Sequence, residues 1–239
     1  LFTRHIIVMS LLFSSLMAMG RGNEKALNRP YADLKAVHFG FSVGTVIQDL
    51  GITNNGYVTE DGKQWVAEVP DWSPGFTVGV LADLRLGNYF NLRFAPGMQF
   101  ANKVVKFRNT MAAEGEEYES QNVKSTFVVV PVELKYSALR YKNVRPYLLG
   151  GVMGVIDVSK RRSEQYQFKT LDGMLSIGFG CDIYLPFFKF CPELKFCFGL
   201  SNILKKNRPD LEDNPPMMDF TRSVDRVVNN MVVLTFYFE

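Results

Sequence analysis

The sequence predicts an all-β fold: an eight-stranded antiparallel up-and-down transmembrane β-barrel with four long extracellular loops and short periplasmic turns. Three observations predict it. Apolar and polar residues alternate along eight stretches, these stretches are joined alternately by long and short connections, and no run of about 18 apolar residues follows the N-terminal segment. With 239 residues, of which 47% are hydrophobic and 21% charged, the chain suits one such domain.

Residues 1–20 have the pattern of a secretory signal peptide. Arg4 precedes an apolar run through Ile6–Met17, and small residues that suit cleavage follow. The alternative is an N-terminal helix that is not cleaved. We expect residues 21–36 to form a polar periplasmic lead-in and residues 37–239 to form the outer-membrane β-barrel.

The first three predicted strands each have one apolar face. They span Val37–Ile47, Gly75–Leu86 and Tyr89–Phe100, and Gly87-Asn88 makes a tight turn between the second and the third. Successive side chains of a strand point to opposite faces. The apolar faces consist of Val37, Phe39, Phe41 and Val43, then Phe76, Val78, Val80, Ala82, Leu84 and Leu86, then Leu92, Phe94, Met98 and Phe100.

The stretch Phe127–Gly151 predicts a β-hairpin that supplies strands four and five, with a polar connection at Arg140–Asn143. One face of strand four is apolar and the other carries charge. The apolar face consists of Val128, Val130, Val132, Leu134 and Tyr136, and the other face of Phe127, Val129, Pro131, Glu133 and Lys135. We expect the apolar face to contact lipid and the charged face to line a lumen. The facing of strand five stays open around Gly150-Gly151.

Strands six to eight are predicted at Leu171–Leu185, Phe188–Leu200 and Asn229–Glu239. A soluble eight-stranded barrel or sandwich with the apolar faces inward is the alternative, because alternation alone does not tell which face is inside. Two features favour the membrane barrel. The polar faces are rich in glycine and carry charges at mid-strand, while the apolar faces are almost free of charge.

Four long connections are expected on the outside, and both termini in the periplasm of a Gram-negative bacterium. They are Gln48–Ser73, Asn102–Lys124, Asp157–Lys169 and Leu204–Arg226. Aromatic residues gather near the short connections and predict an interfacial girdle. These aromatic residues are Tyr89, Phe90, Tyr136, Tyr141, Tyr147, Tyr184, Phe187, Tyr237 and Phe238.

Four acidic and four basic side chains fall on the predicted lumen face, nearly all in its periplasmic half. They are Asp83, Glu133, Asp182 and Glu193, and Arg85, Arg93, Lys135 and Lys195. Eight strands leave a lumen just wide enough to be filled by side chains, and an unpaired buried ion costs several kcal/mol. We therefore predict a structural charge network rather than a conducting pore or a proton relay.

Two surfaces are candidates for partner contacts. Trp65 and Trp72 lie in the first long connection, where exposed tryptophans favour binding, although they could instead pack against the barrel rim. At the opposite end, Arg140, Lys142 and Arg145 form a basic turn that could meet anionic headgroups or a periplasmic partner.

Nothing in the sequence indicates catalysis. His38 is the one histidine after the signal segment, and no G-x-S-x-G, GxGxxG, P-loop, HExxH or CxxC pattern is present. The three cysteines lack metal-type spacing, and a formal net charge of +3 with mixed signs argues against nucleic-acid binding. We expect no enzymatic activity, no cofactor or metal and no small-molecule substrate.

Four stretches resemble the PorT family, eight-stranded outer-membrane barrels of the Bacteroidetes phylum. They are NRPYADLKAVHFGFSVG at Asn28–Gly44, VPVELKYS at Val130–Ser137, RPYLLGGV at Arg145–Val152 and GFGCDIYL at Gly178–Leu185. The resemblance covers roughly residues 28–239. It implies a part in type IX protein secretion, with outer-membrane lipid and other components of that system as partners, and it brings no catalytic residues.

An eight-stranded lumen is too narrow to be the export conduit. We therefore expect an accessory or assembly role, through the loops or the periplasmic face. The alternative is a general structural or adhesive barrel that resembles the small OmpA/OmpX-type proteins and has no role in secretion.

Overall fold

The structure, a computed structural model, describes residues 28–58, 64–68, 74–109, 118–159, 170–204 and 223–239, with the backbone alone at 65, 67–68, 102–109 and 118–124. The predicted signal peptide and Trp72 lie outside these ranges. Within these ranges, ten strands follow a short 3₁₀ turn at Ala32–Leu34. The strands are β1 Val37–Asn54, β2 Trp65–Glu68, β3 Pro74–Arg85, β4 Phe90–Phe94, β5 Gly97–Asn109, β6 Tyr118–Ser137, β7 Val144–Asp157, β8 Leu171–Tyr184, β9 Lys189–Gly199 and β10 Val224–Phe238.

The strands form a closed antiparallel ring with eight positions. β1 pairs with both β10 and β3, and every other neighbour along the ring follows chain order. β4 and β5 share one position, because both pair with β3 in the same register and only 95–96 separate them. β2 adds to the edge of β5. The eight-stranded antiparallel barrel predicted from the sequence is confirmed.

The pairing around the ring sets the tilt of the strands. Starting at Gln48 of β1, we follow the paired inward residue from each strand to the next, once round the ring. The path returns to β1 at His38, so the two ends of the path are offset by ten residues along β1. The path is Gln48, Met231, Cys197, Ser176, Gly151, Glu133, Arg93, Asp83, His38. With a rise of about 3.3 Å per residue and strands about 4.8 Å apart, this stagger gives a tilt of about 40°, which is typical of transmembrane barrels.

Apolar side chains cover the outside of the ring. The exposed apolar residues of the strands include Phe39, Phe41, Phe76, Val80, Leu134, Tyr136, Leu148, Val152, Leu175, Ile177 and Phe179. The apolar faces predicted for strands one to four are these outward faces. A soluble barrel would bury them, so the soluble alternative is wrong. No described helix has the length and hydropathy that crossing a membrane requires.

Strand ends differ most from the sequence prediction. β1 continues to Asn54 along β10, and β2 lies within the stretch predicted as the first long loop. β5 and β6 remain paired from Gly97↔Val129 to Arg108↔Tyr118, so most of the predicted second loop is a hairpin. The alternation used to find strands needs unlike surroundings on the two faces, whereas backbone pairing does not. Polar strand extensions were therefore missed.

The barrel has two unlike ends. We call the end with the connections 86–89, 138–143 and 185–188 the short-connection end, and the opposite end the long-connection end. The lead-in, residues 28–36, crosses the short-connection end before β1 begins. Through Asn28 and Arg29 the lead-in contacts Asn143, Tyr184 and Glu239 at that end.

Candidate functional site

The lumen next to the short-connection end is filled by ionised side chains that are almost completely buried. We call this set the charged layer. Its members are Asp83, Arg93, Glu133, Lys135, Asp182, Lys189, Glu193, Lys195 and Glu239. Eight of them sit at inward positions of their strands, and Glu239 follows β10 with the same parity as its inward residues. The side-chain alternation that produces the outer apolar rows therefore also produces the charged layer.

Arg93 lies at the centre of the charged layer with no exposed side-chain surface. Its guanidinium donates to the Asp83 carboxylate at 3.0 Å and to the Glu193 carboxylate at 2.5 Å. The rings of Tyr147 and Tyr237 lie 5.2 and 4.9 Å from the guanidinium carbon. A planar group with five donors suits this position because it can bind two carboxylates and stack on aromatic rings at once.

Two lysines, Lys195 on β9 and Lys135 on β6, neutralise the other carboxylates. The Lys195 ammonium lies 2.8 Å from Glu133 and 3.2 Å from Glu193. The Lys135 ammonium donates to both oxygens of Asp182, at 2.9 and 2.8 Å. These distances are those of charge-assisted hydrogen bonds. The carboxylates are thereby paired in a lumen that water hardly reaches.

The charged layer differs in membership from the predicted network. The structure brings together seven of the eight predicted residues, but Arg85 is not among them. Arg85 sits at the end of β3, where its guanidinium donates to the Gly87 carbonyl at 3.1 Å and to Asn88 Oδ1 at 2.9 Å. Placing Arg85 in the network was therefore wrong.

Lys189 and Glu239 belong to the charged layer and were missed. Lys189 contacts the Glu239 carboxylate directly and lies 3.8 Å from Asp182. The alternation along the strands could have identified both residues. Lys189 has the same parity as Glu193 and Lys195 on β9. Glu239 has the same parity as the inward residues of β10. Five carboxylates thus face four cations, with His38 Nδ1 3.7 Å from Glu239.

We expect replacement of Glu133 with leucine to destabilise the barrel by about 3 kcal/mol, because Lys195 then loses its nearest carboxylate in a dry lumen. The Ser176 hydroxyl, which donates to Glu133 at 2.7 Å, also loses its acceptor. Urea unfolding in lipid vesicles measures the change. Adding Lys195→Met should restore most of the loss, since removing both members of a buried pair is often neutral. Unchanged resistance of the single variant to heat and detergent would contradict a stabilising network.

An apolar layer fills the lumen on the side of the charged layer that faces the long-connection end. Its members, each no more than 8% exposed, are Val46, Phe127, Val129, Met153, Val155, Met174, Cys197, Met231 and Val233. It also settles the facing of β7, because Met153 and Val155 point inward while Val152 is 57% exposed on the outside. The lumen is therefore filled by packed side chains at this level.

Three of the predicted girdle aromatics lie inside the barrel. Tyr147, Tyr184 and Tyr237 are at most 3% exposed, so assigning them to the interface was wrong. The Tyr147 hydroxyl donates to Glu193 at 2.9 Å, which ties the ring to the charged layer. Four others are at least 41% exposed near the short-connection end, as an interfacial girdle requires: Tyr89, Phe90, Tyr136 and Phe187.

The predicted basic turn contacts the lead-in. Arg145 and Arg140 lie 3.4 and 3.6 Å from the Asp33 carboxylate, and the Arg140 guanidinium also lies 3.5 Å from the Tyr184 ring centroid. Lys142 adopts a positive φ of 53° in the turn, and its ammonium lies 5.4 Å from the Tyr141 ring centroid. Arg140 and Arg145 therefore bind an anion that belongs to the chain itself.

The other candidate surface is described only in part. Trp65 begins β2, which pairs with β5 through Trp65↔Asn109, so this residue lies in a strand rather than in a loop. Trp72 lies outside the described residues. Contact of these tryptophans with a partner stays a prediction.

One group of side chains could gather round a metal ion. Ligand atoms of Asp182, Cys191 and Glu239 lie within 4.8 Å of one another. The ammonium groups of Lys135 and Lys189 already contact these carboxylates and supply the positive charge there. We therefore interpret the group as part of the charged layer.

The sequence of residues 25–205 matches the family model described as an outer membrane protein beta-barrel domain. The chain belongs to this family. This outer-membrane barrel also resembles two solved structures. One is the crystal structure of the outer membrane protein OprG from Pseudomonas aeruginosa, with 12% identity, a TM-score of 0.45, and coverage of 84% of this chain and 92% of OprG. The other is Neisserial surface protein A (NspA), with 11% identity, a TM-score of 0.38, and coverage of 85% and 98%. No curated protein matches the sequence.

Proposed function

We propose that this outer-membrane barrel is a non-catalytic accessory or assembly component of type IX protein secretion that acts through its ends and not through its lumen. Its partners would be outer-membrane lipid along the apolar outer rows and other secretion components at the loops or at the short-connection end. The short-connection end would face the periplasm, with both termini on that side.

The filled lumen is the observation that supports action through the ends of the barrel and not through the lumen. The charged layer and the apolar layer succeed one another along the barrel axis, and their members are buried. A folded or unfolded polypeptide needs a far wider passage than eight strands enclose. Any contribution to protein export must then come from surfaces that other proteins can contact.

The four stretches that resemble the PorT family support the proposed secretion role, because residues from all four lie together at one end of the barrel. Glu133 and Lys135 come from the second stretch, Arg145 from the third and Asp182 from the fourth. All of these residues lie in the charged layer or at the short-connection end, and Asp33 of the first stretch contacts Arg145 at 3.4 Å. The resemblance therefore falls on side chains that fill and cover one end of the barrel.

A deletion strain tests the assignment. Loss of the chain should abolish release or surface anchoring of type IX cargo, and a plasmid copy should restore it. Normal secretion of type IX cargo by the deletion strain would overturn the proposal. Under the alternative of a structural or adhesive barrel, a pull-down from detergent extracts would recover no secretion component.

A further inference from the structure

The short-connection end of the barrel is closed to water although it is the end of an open cylinder. Tyr184, Lys189 and Cys191 are the inward residues nearest this end on β8 and β9, and they are 1%, 4% and 0% exposed. Side chains at such positions contact solvent unless another segment covers them. The described part of the chain supplies one covering segment, the lead-in at residues 28–36.

The lead-in is held by hydrogen bonds to four strands or turns. One is the end of β3, where the Arg85 backbone N–H donates to the Ala36 carbonyl at 2.8 Å and the Arg85 guanidinium to the Leu34 carbonyl at 3.4 Å. The backbone N–H of Asn28 donates to Asn143 Oδ1 at 2.9 Å, and its side-chain amide donates to the Tyr184 carbonyl at 3.0 Å. The Arg29 guanidinium donates to the Glu239 carbonyl at 3.1 Å. These contacts place the lead-in across the barrel mouth.

Asp33 joins the middle of the lead-in to the barrel. Its carboxylate accepts a hydrogen bond from the Tyr184 hydroxyl and lies 3.4 Å from Arg145 and 3.6 Å from Arg140. Arg140 reinforces the arrangement, because its guanidinium also donates to the carbonyls of Asn28 and Arg29. Four elements, the 3₁₀ turn, the β6–β7 connection, the start of β7 and the end of β8, therefore meet at one carboxylate.

The strength of this attachment differs from that of the charged layer below it. The Asp33 side chain is 26% exposed, whereas the Asp83 side chain has no exposed surface. Ion pairs that water reaches contribute little and weaken with salt, whereas removing one member of a buried pair is strongly destabilising. Tyr31 and Leu34 are 75% and 62% exposed, so apolar burial adds little to hold the lead-in.

We propose that residues 28–36 form a latch, a lid over the lumen that opens without unfolding the barrel, with Asp33 as the side chain that holds it closed. Opening exposes Lys189, Cys191 and Glu239 to the solution at the short-connection end. The charged layer keeps its internal ion pairs, and the apolar layer keeps the lumen closed further along the axis. This inference does not depend on a role in secretion.

The Cys191 thiol reports the state of the latch. Cys181→Ser with Cys197→Ala leaves Cys191 as the single cysteine, and iodoacetamide labels it in folded protein in detergent. We expect Asp33→Asn to speed labelling about tenfold and Lys35→Gln, a neutralisation of an exposed neighbour, to leave the rate unchanged. Salt at about 1 M should also speed labelling of the protein with Asp33, but not of Asp33→Asn.

A second thiol distinguishes latch opening from general loosening. With Cys191→Ala and Cys181→Ser, the remaining Cys197 lies in the apolar layer and should label slowly in every variant. If Asp33→Asn fails to fold, as judged by heat-modifiable gel mobility, Arg140→Lys replaces it, because lysine cannot donate to two carbonyls and stack on Tyr184 together. Equal Cys191 rates with and without Asp33, or parallel acceleration at Cys197, would overturn the latch.

Discussion

Replacing Arg93 with methionine is expected to lower the free energy of unfolding by about 3–5 kcal/mol, because it leaves two buried carboxylates without their shared cation. Asp83 and Glu193 each bind a different nitrogen of the fully buried guanidinium. Methionine fills much of the arginine volume, so the loss measures charge and hydrogen bonding more than it measures a cavity. Urea unfolding of the barrel in lipid vesicles provides the value.

Arg85→Met is the matched control for this substitution. Arg85 lies on β3, the same strand as Asp83, but it donates to the partly exposed turn at Gly87 and Asn88. Its loss should change the free energy of unfolding by less than about 1 kcal/mol. Similar losses for Arg93→Met and Arg85→Met would show that burial in the charged layer is not what gives Arg93 its importance.

The outward faces were predictable because lipid imposes a period of two. Val132, Leu134 and Tyr136 point outward from β6, and Glu133 and Lys135 point inward, as their alternation predicts. A shift of one residue would expose ions to lipid and put apolar rows in the charged layer. This large energetic difference is why alternation identified which face each residue occupies.

The position of a residue along the barrel axis was less predictable. Arg85 and Lys189 both have inward parity near a short connection, yet Lys189 enters the charged layer and Arg85 does not. The difference depends on the ten-residue stagger of the ring, which arises from pairing between strands distant in sequence. Alternation within one strand contains no information about that stagger.

The sequence predicts a polar lead-in before β1, but it does not predict that this segment crosses the end of the barrel. The lead-in has little periodicity, and several contacts that hold it are between residues more than 100 positions apart, such as Asn28 with Asn143 and Arg29 with Glu239. The sequence predicts that the basic turn meets anionic headgroups or a periplasmic partner, and Asp33 is an anion within the chain that Arg140 and Arg145 bind. Sequence reasoning identified the charge of the turn but not the group within the chain that neutralises it.

Packing within the charged layer depends on a missing side chain. Tyr147 on β7 lies directly beside Gly180 on β8, and the glycine leaves the space that the phenol ring occupies. A Cβ atom at Gly180 would lie 2.5 Å from Tyr147 Cζ and 2.7 Å from the Pro192 carbonyl oxygen. The ring has to remain there, because its hydroxyl donates to Glu193 at 2.9 Å.

Gly180→Ala is therefore expected to destabilise the barrel by about 2–4 kcal/mol, the sum of overpacking and a lost hydrogen bond to a buried carboxylate. Gly173→Ala on the same strand is the control, since no atom of the described residues lies within 4 Å of its added Cβ and its effect should stay within about 0.5 kcal/mol. A Tyr147→Ala background should remove the part of the Gly180→Ala effect that comes from the ring, in a double-mutant cycle measured by urea unfolding, and leave the part that comes from the Pro192 carbonyl. If the two losses simply add, the clash is with the backbone at Pro192 and the ring is not what the glycine accommodates.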